Sequence, residues 1–159
     1  MKSSCFALAA CIAATMLTAC VSDSGSSAPK RMFATSQSYA GNFGGAAAAD
    51  SICATLAEAA LLGGKWNAFL STNDTGALAR TREVGPWFRV DRETKVFNNR
   101  TGFTVGALTN IYNEYGAPIP SSARAWTGTR GDGTADGTQN CSNWTSTSGY
   151  ATAGNPNKL

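Results

Sequence analysis

The sequence contains no histidine. That absence removes serine–histidine and cysteine–histidine catalysis and every imidazole metal site. Strong charge is missing too: 13 Lys and Arg face 10 Asp and Glu, a formal net charge of +3. So mild a balance excludes nucleic acid as the expected partner. The apolar run Phe6–Leu17 is well short of the ~20 residues that a membrane-spanning helix needs. Paired carboxylates of the kind a hydrolase uses are not evident, because Glu58, Glu83, Glu93 and Glu114 fall in unrelated segments. The expectation is a non-enzymatic chain with no cofactor and no metal.

What is present begins at the amino terminus. Met1-Lys2 supplies a short positive region, Phe6–Leu17 an apolar core, and Leu17-Thr18-Ala19-Cys20 a lipobox, in which small residues let a peptidase reach the backbone. Residues 1–19 are therefore expected to be a bacterial lipoprotein signal peptide. Cys20 is expected to carry a diacylglyceryl group as the first mature residue, and two or three acyl chains would hold it stably in a membrane. Val21, which is not Asp, favours the outer membrane or cell surface. Val21–Lys30 is Ser/Gly-rich and cannot bury enough apolar surface to fold, so residues 20–30 read as lipidated cysteine and flexible tether. Cys5 and Cys11 are expected to leave with the signal peptide.

Residues 31–150 read as one α+β domain, with one main helix among short irregular strands and long loops. Arg31–Thr35 predicts a first strand. Ala dominates residues 45–62, and Ala49, Ile52, Cys53, Leu56 and Ala60 fall on one helical face, with Gly63-Gly64 as the stop. Lys65–Thr72 and Trp87–Val90 predict aromatic-rich strands, Val105–Leu108 a short helical turn, and Ala125–Gly128 a strand end. Residues 151–159 show no strand pattern and are expected to be an irregular tail. Trp66, Trp87, Trp126 and Trp144 are expected to fill the core.

Ala-Asp-Ser-Ile-Cys53, Leu-Gly-Gly-Lys-Trp-Asn-Ala-Phe-Leu-Ser71, Ala-Trp126-Thr-Gly-Thr129 and Asn-Cys141-Ser-Asn-Trp144, in that order, resemble the endostatin domain of collagens. They resemble still more a family of bacterial surface lipoprotein domains of unknown function on the same compact C-type-lectin-like fold. The resemblance covers residues 31–150. It implies four cysteines nested first-to-fourth and second-to-third, with Cys53 and Cys141 as the first two. It also implies a last apolar strand bearing the other two cysteines, which this chain lacks. Cys53 and Cys141 could pair with each other, as two cysteines in an exported protein ordinarily do, or could stand as separate thiols; both readings stay open.

The resemblance implies a lipid-anchored surface module for binding or adhesion, with an extracellular glycan or matrix protein as ligand. The alternatives are a structural envelope lipoprotein with no ligand of its own and a truncated remnant of such a domain. The candidate ligand loop contains Arg130, Asp132 and Asp136. Arg130-Gly131-Asp132 is the integrin-recognition tripeptide, and Asp132 and Asp136 could also face a hard cation. Arg80, Arg82 and Arg89 are candidate polyanion contacts, since a guanidinium suits sulfate.

Overall fold

The computed structural model describes residues 7–10, 16–22, 29–81 and 84–157. The remainder of the expected signal peptide and tether, and Arg82 among the candidate polyanion contacts, lie outside the described residues.

Alanine-rich sequence makes the main helix, α1 (Ala46–Ala59), which buries Ala49, Cys53, Leu56 and Ala57. It ends before the expected Gly63-Gly64 stop. Leu61 takes a left-handed φ of 55°. Its N–H donates to Glu58 O, and the Leu62 N–H donates to Ala57 O, both at 2.9 Å. This is the Schellman arrangement, with leucine where glycine is usual. The left-handed region costs leucine ~1 kcal/mol, and its side chain stays in water. Arg31 completes the cap: its Nη2 donates to Leu62 O at 2.8 Å and Gly63 O at 3.1 Å, while the guanidinium lies over the Trp66 ring.

Among the described residues eight strands form one mixed sheet: β1 (Ala7–Ala10), β2 (Leu17–Ser22), β3 (Lys30–Ala34), β4 (Trp66–Ala68), β5 (Trp87–Phe88), β6 (Lys95–Phe97), β7 (Ala125–Trp126) and β8 (Tyr150–Gly154). Their order is β1-β8-β7-β2-β3-β5-β6, with β4 also on β2. The β2/β7 and β3/β5 pairs are parallel and the others antiparallel. β2 is the hub. Every residue of it is buried, and Cys20 lies opposite Phe33 on β3 and Ala68 on β4.

Two expectations change here. Residues 151–154 belong to a strand, not to an irregular tail: Ala151 and Ala153 are fully buried, and Trp126 pairs with Ala153. Ala and Gly have little strand propensity, so pairing on both sides makes this strand. Cys20–Ser22, expected to begin a flexible tether, likewise belong to buried β2 with Leu17–Ala19 before them, where small and apolar side chains fit between two layers.

Among the described residues there are also three one-turn helices: α2 (Ala77–Arg80), α3 (Gly102–Val105), which lies N-terminal to the expected turn, and α4 (Cys141–Trp144). In α4 all four residues have positive φ, from 51° to 66°. Left-handed backbone costs ~1–2 kcal/mol per non-glycine residue, so its surroundings must hold it. Asn140 Oδ1 accepts the Asn143 N–H at 2.9 Å, and the Trp144 indole donates to Ser71 O at 2.7 Å.

The four tryptophans are buried. Trp66, Trp126 and Trp144 join Cys20, Phe33 and Cys53 between sheet and α1. Trp87 packs with Met32, Phe69 and Phe97 in a second cluster around Phe103. Glu114 is buried as well, and its oxygens accept the Ser36 N–H and hydroxyl, which gives it a structural task.

Candidate functional site

The Arg130–Asp136 segment is a hairpin. Thr129 bridges Ala135, the Arg130 N–H donates to Thr134 O, and the Gly133 N–H donates to Arg130 O, both at 2.9 Å. Gly133 has φ +86°, and a Cβ there would lie 2.5 Å from Leu78 Cδ1 and 2.9 Å from Thr104 Cγ2. Only glycine lets the hairpin rest this closely on α2 and α3.

The tip exposes Arg130, Gly131 and Asp132. Asp132 Oδ1 accepts both the Thr134 N–H at 2.9 Å and the Thr134 hydroxyl at 2.6 Å. The Thr134 hydroxyl foremost, then its N–H, with Arg130 nearby, hold the Asp132 carboxyl below its ordinary range. Arg130 Nη2 meets Asp136 Oδ1 at 3.3 Å, and Asp136 Oδ2 accepts the Thr152 hydroxyl at 3.1 Å. The structure thus brings the three candidate residues together with different tasks. Arg130 and Asp132 present opposite charges to solvent, and Asp136 braces the hairpin against β8. Among the described residues no three His, Cys, Asp or Glu converge.

A prediction follows for the tip. A carboxyl held below the usual ~3.9 stabilises its turn above that pH, and the contribution is lost as pH falls through the lowered folded value. A carbon-detected NMR titration should place the Asp132 midpoint below that of an ordinary aspartate. Thr134→Ala should move it up. An unshifted midpoint in both proteins would show that the turn does not hold the carboxylate.

The structure holds two of the candidate polyanion contacts, Arg80 and Arg89, in bonds within the fold. Arg80 Nη2 binds Asp50 Oδ2 at 2.7 Å and its Nη1 donates to Leu70 O at 3.1 Å, while Asp50 Oδ1 accepts the Ala68 N–H at 2.8 Å. Arg89 lies 3.6 Å over the Tyr112 ring, donating to Asn110 O at 2.8 Å and to the Thr109 hydroxyl at 2.9 Å. Irregular loops leave carbonyls without ladder partners, and the planar fork of arginine satisfies them. Both side chains therefore brace loops.

The cysteines also need correction. Cys53 bonds Cys20, with Cα atoms 5.6 Å apart and neither residue exposed. Cys141 is disulfide-bonded as well, so a Cys53–Cys141 bridge does not exist. A cysteine that reads as a lipid acceptor hides its capacity as a core partner, and no signal in the sequence separates the two. Sequence reasoning also missed a groove of about 320 Å³ lined by Phe97, Asn99, Gly102, Val105 and Leu108, where Val105 and Leu108 are exposed.

Among the described residues no helix is long and apolar enough to cross a membrane. No protein-family model matches this chain, and no curated protein matches it.

Proposed function

We propose that the protein is a lipid-anchored, non-enzymatic binding or adhesion module of the bacterial cell surface, built on an endostatin/C-type-lectin-like fold. The Arg130–Thr134 hairpin tip carries its contact. The observation behind this reading is the tip itself. It holds an exposed guanidinium and an exposed carboxylate of fixed turn geometry, on a glycine seated against two helical turns. A rigid, charged, solvent-facing loop loses little freedom on binding, which favours affinity. The anchor follows from the lipobox at Leu17–Cys20 and the outer location from Val21. The fold assignment is supported by α1, β7 and α4 converging on one core through Cys53, Trp126 and Trp144. An extracellular glycan or matrix protein is the expected ligand class, and no nucleic acid is expected.

The test is binding of the immobilised full chain to cell-surface and matrix proteins and to sulfated glycans. Asp132→Asn and Arg130→Ala should each weaken binding roughly 10- to 100-fold, the scale of a charged contact. Equal binding by both variants would remove the hairpin from the contact. Failure of the wild-type chain to bind anything would favour the structural envelope component.

A further inference from the structure

We infer that Cys20 is a branch point at which folding and lipid anchoring exclude each other. Closure of the Cys20–Cys53 bond commits the chain to an unanchored form that keeps residues 1–19. Prior lipidation gives the anchored form and leaves Cys53 a thiol. The inference rests on the lipobox reading of the proposed function and adds a control over it.

The chemistry is exclusive because one sulfur takes part in both reactions. In the first, the Cys20 and Cys53 thiols lose two protons and two electrons to a disulfide-bearing oxidant of the envelope, which becomes a dithiol. In the second, Cys20 Sγ bonds a glycerol carbon of a phospholipid. The C–O bond to the phosphate headgroup breaks, and the thiol proton leaves with that phosphate. Water then cleaves the Ala19–Cys20 peptide bond.

The fold makes the exclusion steric as well. Cys20 and Thr18 have no exposed surface, and Ala19 has 6%. The backbone that a peptidase would engage is already occupied. Ala19 O accepts the Phe69 N–H at 2.7 Å, and Thr18 O accepts the Thr35 N–H at 2.9 Å. The Thr18 N–H donates to Thr35 Oγ1 at 2.9 Å. With partners on both sides, β2 has no edge to offer an enzyme that binds its substrate as an extended strand. Cleavage would also take away β1 and residues 17–19 of β2, so the two forms differ in their sheets as well as in their anchors.

The test uses the full chain in a lipoprotein-processing bacterium fed a clickable fatty acid, with the labelled fraction of chains measured under non-reducing conditions. Cys20→Ser sets the blank. Cys53→Ser, and separately the wild-type chain grown with dithiothreitol, should each raise the labelled fraction at least two-fold over untreated wild type. The unlabelled wild-type chains should retain residues 1–19 and the Cys20–Cys53 bond. Because the readout is a fraction, and one arm uses the unaltered chain, loss of a poorly folded variant does not mimic the result. The same labelled fraction in all three arms would overturn the branch point while leaving the anchor in place. No label above the blank in any arm would overturn the anchor, and this inference with it.

Discussion

Trp144→Ala is expected to destabilise the domain by about 3–5 kcal/mol, the range for deleting a large buried aromatic. The indole has no exposed surface. It stacks on Phe43 with ring centroids 5.3 Å apart and meets Trp126 edge-on at 6.1 Å. Its N–H donates to Ser71 O, and its carbonyl accepts both Gly44 and Gly45 N–H groups at the entrance to α1. Truncation would open a cavity and leave Ser71 O without that donor. It would also free a left-handed turn that its contacts hold against intrinsic strain. Gly128 adds a further dependence, because a Cβ there would lie 2.8 Å from Trp144 Cζ2. Leu61→Ala is the contrast: that side chain is 92% exposed, so its loss should stay within ~0.5 kcal/mol. Urea denaturation of both variants checks the pair. A loss below ~1 kcal/mol at Trp144 would show that α4 is not built into the core.

The second large effect is expected from Cys53→Ala in the oxidised full chain. The Cys20–Cys53 bond spans 33 residues. In the chain-entropy model, releasing a loop of that size costs about 3–4 kcal/mol. The melting temperature of Cys53→Ala should fall by several degrees or more, toward that of reduced wild type. If oxidised wild type and Cys53→Ala melt together, the two cysteines do not restrain the unfolded chain.

Parts of this molecule are legible in its sequence for clear reasons. Alanine content and three-and-four spacing mark α1, because helix propensity and the buried face agree there. Short aromatic runs mark β4 and β5, though each strand is shorter than its run because the loops take over the backbone bonding. The Trp126-Thr127-Gly128-Thr129 segment is explained by Gly128, whose φ of +56° and closeness to Trp144 exclude a side chain.

The illegible parts share a cause, namely that tertiary partners decide them. Leu-Thr-Ala-Cys-Val-Ser reads as a lipobox and as a doubly covered strand equally well, since both patterns use small or apolar residues. Tyr150–Gly154 has no strand signature and pairs because β7 and β1 flank it. Arg80 and Arg89 announce positive charge but not the carbonyls that hold them. Cysteine connectivity cannot be read from spacing. At the candidate site, the Asp-Gly turn and the charges of Arg130 and Asp132 are legible. The seat of Gly133 on Leu78 and Thr104 is not.

Peptide mass spectrometry under non-reducing conditions tests the two exclusive fates inferred for Cys20 most directly. The chain would be isolated from cell envelopes and from the soluble fraction and digested without reductant. The expected result is an envelope species that begins at an acylated Cys20 with Cys53 unbonded to it. A soluble species is also expected, in which residues 1–19 remain and Cys20 is bonded to Cys53. A chain carrying Cys20 as neither a lipid adduct nor a Cys53 disulfide would contradict the inference.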